Sequence, residues 1–400
     1  MKKKLFAGNQ KQRFGSFWIY TLFFFVAFHS SPFVRFPSIS VYAGQHTPFE
    51  AAVANFEVKL AGDVAKDGVG GVVAGVVVGN RLVWARGFGW SDVMKSIPID
   101  VHTIGRTGSI SKSFTAVLMM QLVEAGFFGL DDPVADYFPE INSLSDSLEK
   151  RKPITFRHLA SHTSGLIREP KLEGAASGPI TYWEEKILAS IPNTSFLAFP
   201  GEKYSYSNIG FGILGLAVSR AAKKPFMQLM NDYIFRPLDM KRSTFVLTDE
   251  MWDHLSTGYQ VKKDSTIDSE QPAIEHSGRG YKVPNGGIYS TVPDLTKFIA
   301  AMTGASSVHI LTRESREEMQ KFQTSMSDST GYGLGFFIRV SADGIKVVGH
   351  SGSVAGYNAY LGFNPDSRIG VILLRNYIPG STHLRRSGEA LLIELVRAGK

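Results

Sequence analysis

Apolar residues first recur at helical spacing at Phe49, Val53, Phe56 and Leu60, which predicts a helix with one buried face. Its start is marked as well: Thr47 can cap it, Pro48 suits the first turn, and Glu50 stands where a capping box needs an acceptor. Val72 to Val78 and Leu82 to Gly87 then read as two strands joined by a Gly79-Asn80 turn. From about Gly105 to Gly304 the pattern is helical, with connections that carry glycine and proline. The β pattern returns near the end. Gly335 to Val340 and Ile345 to Val348 read as a hairpin turning at Asp343-Gly344, and Tyr357 to Phe363 and Ile369 to Leu374 follow, joined by Asn364-Pro365-Asp366-Ser367. A last helix is expected over roughly Leu384 to Arg397. Strands at both ends around a helical middle point to an α+β fold. Residues 44–104 and 305–400 would build one antiparallel sheet flanked by helices, and residues 105–304 a mainly helical region inserted beside it. Binding sites favour such seams.

The first 43 residues follow another pattern. Lys2, Lys3 and Lys4 precede an apolar run from Phe17 to Phe28, and Val41-Tyr42-Ala43 offers a small-residue exit. That layout predicts a signal peptide, or else an uncleaved N-terminal anchor through which the protein would associate with a membrane; the run is short for a comfortable transmembrane helix. Either reading predicts export to a periplasmic or extracellular location. The same segment carries the charge. The formal net charge is +7, and six cations (Lys2, Lys3, Lys4, Lys11, Arg13, Arg35) lie in it without a single Asp or Glu. The rest is near neutral, so the basic balance is no sign of a nucleic-acid partner. With 44% hydrophobic and 20% charged residues, that body can fill a large core and is not a disordered chain. The absence of cysteine excludes a thiol nucleophile, a disulfide framework and a Cys-ligated metal.

Three short elements carry candidate chemistry. Ser109-Ile-Ser-Lys112 follows Thr107-Gly108 and precedes Phe114, Val117, Leu118 and Leu122, the pattern of a helix start. Residues three apart share a helix face, so Lys112 can reach the Ser109 hydroxyl. A serine attacks only when a base takes its proton, and a lysine is a base only when burial or a helix N-terminus holds it neutral. Tyr206-Ser-Asn208 supplies a phenol that can relay protons if cations lower its pKa, and an amide that can hold a substrate through donor and acceptor. His350-Ser-Gly352, with Ser353, stands where a strand is expected to start. Gly352 would let a substrate backbone approach, His350 can donate to a carboxylate or carbonyl, and the Ser353 and Ser109 N–H groups can together form an oxyanion hole.

In order and spacing, the three elements resemble those of serine β-lactamases related to class C and of the penicillin-binding-protein group. That group also holds D-alanyl-D-alanine carboxypeptidases, D-aminopeptidases and β-lactamase-like esterases. Ile154 to Leu166, Pro284 to Leu295 and Gly356 to Pro365 resemble further segments of the group, and the resemblance covers nearly everything after residue 44. It implies that Ser109 forms an acyl-enzyme and that Lys112 and Tyr206 share the base and acid work, either one taking the first proton. Asn208 would orient the substrate, with His350, Gly352 and Ser353 lining the strand side. His350 departs from class C, which has lysine there; many carboxypeptidases and D-aminopeptidases have histidine and many of the esterases an apolar residue. A partly charged histidine would hold a carboxylate less firmly than lysine. The implied substrate is a small molecule or peptide, with no cofactor. A D-amino-acid-directed peptidase or carboxypeptidase competes with a small-ester esterase; a β-lactamase comes third. A non-catalytic penicillin-recognising binder or sensor is the alternative from another class, and the joint presence of Ser109, Lys112 and Tyr206 speaks against it.

Three other signals are weaker. Gly210-Phe-Gly212-Ile-Leu-Gly215 matches a dinucleotide fingerprint by letter, but no apolar strand precedes it. His158 and His162 stand four apart without the Glu of a zinc-protease motif, so a hydrogen-bonding role is expected and no metal. Gly349-His-Ser351-Gly-Ser, with Asp366 and His383 after it, approaches a nucleophile elbow, yet its fifth residue is serine and no helix is expected to follow.

Overall fold

A computed structural model describes residues 39–40, 47–145 and 152–399. The leader expected over residues 1–43, with its exit at Ala43, lies outside them except for a two-residue strand at Ile39–Ser40. The principal elements in chain order are helix α1 (Pro48–Asp67), strands β1 (Gly71–Val78) and β2 (Arg81–Asp92), and helices α2 (Ser111–Glu124), α3 (Asn208–Ala222) and α4 (Val292–Met302). Strands β3 (Phe337–Val340), β4 (Lys346–Val354), β5 (Tyr357–Asn364) and β6 (Ile369–Arg375) and helix α5 (Leu384–Ala398) complete the set. The fold is α+β. The capping box of α1 is formed in both directions: Glu50 N–H donates to Thr47 Oγ1 and Thr47 N–H to Glu50 Oε2. Val53, Phe56, Leu60 and Val64 form its buried face.

The large sheet runs in the order Ile39–Ser40, β2, β1, β6, β5, β4, β3, Thr330–Tyr332, Thr324–Ser327, all neighbours antiparallel. The pairing of β1 with β6, Val76 opposite Val371, welds the start of the chain to its end. Both strands are buried on two faces, which is why they read as unbroken apolar runs. Val72, Ala74, Val76, Val371 and Leu373 pack with α1 and α5, whereas Val73, Val77, Ile372 and Leu374 pack with α2 and α4. Helix α2 is buried on all sides from Ser111 to Leu122. Such a helix is a core element rather than an amphipathic surface one; its Phe114 stacks on Phe298 of α4 with ring centroids 3.9 Å apart.

Three differences from the sequence reading have physical reasons. Strand β4 does not end at Val348; it continues through His350-Ser-Gly352 to Val354. The polar letters hide it, because this half of the strand faces the site instead of core. The hairpin Thr324–Ser327/Thr330–Tyr332 has a mostly polar, exposed first strand with no alternation to read. Inside the helical middle, Gly105–Arg106 pairs with Tyr289–Ser290, too short to show a period. No helix among the described residues is long and apolar enough to cross a membrane.

Candidate active site

Ser109 lies in a 3₁₀ turn, Gly108–Ile110, that runs straight into α2. The turn is pinned from behind: Thr107 donates through both N–H and Oγ1 to Ile288 O, and Ile288 N–H donates to Ser111 Oγ. One turn on, the Lys112 side chain is wholly buried, and Nζ lies 3.0 Å from Ser109 Oγ, 2.8 Å from Asn208 Oδ1 and 3.2 Å from Asn285 O. A neutral amine has two N–H donors and one lone pair. With two N–H groups on the carbonyl oxygens, the remaining position on Nζ faces Ser109 Oγ: a donor to that oxygen in the ammonium, and the lone pair in the neutral amine. Burial, then the positive charges of Arg279 and Arg168, hold Lys112 well below the usual lysine value, against the opposing pull of Glu169.

Tyr206 and Asn208 arrive on the loop that opens α3. Ser207 caps that helix through Gly210 N–H and donates to Ile167 O, while Asn208 N–H donates to Arg168 O. These bonds lock residues 205–209 onto residues 162–168. The Tyr206 ring stands 4.9 Å from Lys112 Nζ. Its phenol is pushed up to about 12 by burial, despite a hydrogen bond with Ser109 and the nearby charge of Arg168. The condition set for proton relay, a pKa lowered by cations, is not met, because desolvation outweighs Arg168. Asn208 spends its amide inside the protein, Oδ1 accepting from Lys112 and Nδ2 donating to Glu169 Oε1 at 2.6 Å.

Strand β4 closes the site on the other side. Its first four residues pair with β3, whereas His350 to Val354 have partners only on β5, leaving that edge to the Ser109 turn. Gly352 was expected to admit a substrate backbone. What it admits is the chain itself: a Cβ there would lie 1.9 Å from Thr107 O and 3.0 Å from Ser109 N. From the opposite side, a Cβ on Gly108 would lie 2.7 Å from Ser353 N. The Ser109 turn and the Gly352–Ser353 backbone are thus in close contact, and an oxyanion hole here would draw on the Ser109 and Ser353 N–H groups. His350 is 2% exposed. Its Nδ1 lies 2.6 Å from Ser351 O, which can only accept, so Nδ1 carries the proton and Nε2 accepts from the Tyr332 hydroxyl at 3.0 Å. Burial lowers its pKa to about 3, and any positive charge on Lys112 acts in the same direction. The partial charge expected at neutral pH is therefore absent, and both ring nitrogens are occupied.

The structure brings together Ser109, Lys112, Tyr206, Asn208, His350, Gly352 and Ser353. It adds residues the sequence reading missed: Asn285, Arg168, Glu169, Arg279 and Tyr332. Asn285 falls in the Pro284–Leu295 segment already singled out, but it acts through a backbone carbonyl, which no residue letter reports. The weaker signals find structural places. Gly210, Gly212 and Gly215 lie in buried α3. His158 caps its own short helix with Thr155, and His162 Nδ1 accepts from Ser207 N–H. Ser351 sits in mid-strand. Among the described residues no cluster of three or more His, Asp or Glu is grouped to hold a metal ion.

The chain is similar to known proteins over most of its length. The octameric penicillin-binding protein homologue from Pyrococcus abyssi superposes with a TM-score of 0.71 at 29% identity, covering 87% of this chain and 78% of its own. The D-alanyl-D-alanine-carboxypeptidase/endopeptidase AmpH of Escherichia coli (strain K12) is 24% identical over 77% of this chain and 79% of its own length. Beta-lactamase-like protein 2 of Dictyostelium discoideum is 27% identical over 76% of this chain, which spans only 56% of that relative. The Beta-lactamase family model matches residues 56–392, a range that takes in every residue of the site and both halves of the sheet. On that match the chain belongs to the Beta-lactamase family, a family of serine hydrolases.

Proposed function

We propose that the chain hydrolyses small-molecule or peptide substrates through an acyl-enzyme on Ser109. The observation that carries this reading is the buried Lys112 amine, hydrogen-bonded to Ser109 Oγ and backed by two carbonyl oxygens. Ser109 Oγ attacks the substrate carbonyl carbon as its proton passes to Lys112 Nζ. The carbonyl electron pair moves onto oxygen, where the Ser109 and Ser353 N–H groups receive it. Collapse breaks the bond to the leaving group, which takes a proton from the neutral Tyr206 phenol, reloaded from Lys112. Water then repeats the sequence on the ester and frees Ser109. In this order Lys112 takes the first proton, because its pKa is lowered toward the neutral, basic form while that of Tyr206 is raised so that the phenol keeps its proton.

A D-amino-acid-directed peptidase or carboxypeptidase is supported by the likeness to AmpH over most of both chains. A small-ester esterase is supported by His350, whose neutral, fully bonded ring offers no cation to a terminal carboxylate. The basic and apolar leader supports export. The direct test is intact mass and peptide mapping after a fluorophosphonate and, separately, a penicillin. A stable fluorophosphonate adduct is expected on Ser109 and absent from Ser109→Ala. A folded protein that takes up neither reagent would refute the hydrolase reading and favour a binder.

The pH profile gives a second test. Arg279, Arg168, Lys282 and Glu169 set the field at Lys112, with neutral His162, His350 and Tyr206 around it. Only the deprotonated amine is a base, so kcat/KM is expected to rise with pH through a midpoint below 10.5. Arg279 is held by Glu275 at 2.8 Å, and its Nη1 donates to Gly286 O, next to the carbonyl that holds Lys112. Removing that cation favours the ammonium, so Arg279→Gln is expected to move the rising limb to higher pH. A limb that stays put or moves down would contradict this account of the base.

A further inference from the structure

Among the described residues, the cations around the nucleophile are committed, with one exception. Lys112 has three oxygen partners. Arg279 and Arg106 share the Glu275 carboxylate at 2.8 and 3.1 Å. Lys282 pairs with Glu169 Oε2 at 3.1 Å. Arg168 differs: its side chain is 65% exposed, and its guanidinium carbon lies 4.9 Å over the Tyr206 ring. Its ion pair among the described residues is a loose 3.7 Å contact with Glu169 Oε1, an oxygen that already accepts a 2.6 Å bond from Asn208. Tyr281 and Lys282 take the other oxygen of that carboxylate. An arginine kept for a surface ion pair would close on its partner; this one stands over the Tyr206 ring instead.

The backbone under it is fixed. Arg168 O accepts from Asn208 N–H at 2.9 Å and Ile209 N–H at 3.3 Å, and Ile167 N–H donates to Ser195 O. The guanidinium is therefore presented from a hydrogen-bonded backbone, on a side chain that is largely exposed. A planar guanidinium stacked on an aromatic face keeps its edge free for a carboxylate, to which it can bond through two parallel N–H groups. On the strand side, by contrast, His350 offers neither charge nor a free donor. Arg168 also lies close enough to depress Lys112 and to oppose the burial of Tyr206.

We propose that Arg168 is a specificity-determining residue that receives a carboxylate of the substrate, borne on the portion lying against Tyr206 and Asn208, so that the preferred substrates are acidic acyl compounds. The inference rests on acylation of Ser109. Matched p-nitrophenyl esters test it: the monoester of glutaric acid against the pentanoate, which carry and lack a carboxylate on the acyl part. Wild-type kcat/KM is expected to favour the acidic ester by about tenfold, the scale of one charge-assisted bond pair. Arg168→Gln is expected to abolish the preference and Arg168→Lys to restore part of it. Since Arg168 also acts on Lys112, absolute rates will shift for both esters alike, and the ratio is the readout. Matched boronic acids, with and without the carboxylate, give the same comparison by calorimetry without turnover. Ser109 labelled by fluorophosphonate but no acidic preference, or a preference that survives Arg168→Gln, would overturn this proposal alone. Failure to label Ser109 would overturn the hydrolase reading and this inference with it.

Discussion

Lys112→Met is expected to lower kcat/KM by about 10²- to 10⁴-fold, the range of a lost general base. The methionine fills nearly the same space in a fully buried position, so the loss reports on the amine and not on a cavity. It also leaves Asn208 Oδ1 and Asn285 O without their donor, a cost of about 1–3 kcal/mol for each buried group. Retained near-UV circular dichroism must therefore accompany the measurement. Lys112→Arg is the sharper variant. Arginine keeps the positive charge and the donors but has no accessible neutral form. If Lys112 acted only as a fixed cation, the arginine variant would preserve the rate of Ser109 phosphonylation. If it is the base, that rate falls with kcat/KM in both variants. An arginine variant that labels at the wild-type rate would refute the assignment of the first proton to Lys112.

What was legible in the sequence follows from range. The relation of Ser109 to Lys112 is local, set by helix spacing, and the structure places the two atoms in hydrogen-bond contact. The α1 capping box was legible for the same reason. Tyr206, Asn208 and His350 come from remote segments; only the resemblance of order and spacing joined them to Ser109. The state of their protons was not legible. The direction of the Tyr206 shift depends on burial outweighing Arg168, and the charge of His350 depends on burial among Tyr332, Phe337 and the strand. Arg168, Glu169 and Arg279 are polar residues in connections, where no period marks a face. A strand was expected to start at His350, but its continuity with the strand from Lys346 was not legible, because the polar residues past Gly349 serve the site and not the core. The leader and the division at residues 104 and 305 remain expectations of the sequence.

Gly352→Ala is expected to lower kcat/KM by about 10²-fold or more, the loss that follows when a reacting group is misplaced by an ångström or an oxyanion donor is removed. The added methyl carbon would start 1.9 Å from Thr107 O, and neither side can yield alone. Thr107 is tied through two bonds to Ile288 O, and Gly352 is held in register with Ala359 by the β4–β5 ladder. Whichever gives way, the Ser109 and Ser353 N–H groups move apart. The strain should also destabilise the fold by about 1–3 kcal/mol, as overpacking does in a tight interior, which leaves a domain of this size folded. Gly62→Ala is the matching control: its Cβ meets nothing within 4 Å, and it lies in α1, on the face of the sheet away from α2. That variant should keep full activity. A folded Gly352→Ala protein with wild-type kcat/KM would mean that the approach of β4 to the Ser109 turn does not build the site. Loss of activity with unchanged binding of a matched boronic acid would count against the oxyanion hole, because the tetrahedral adduct draws on the same two N–H groups.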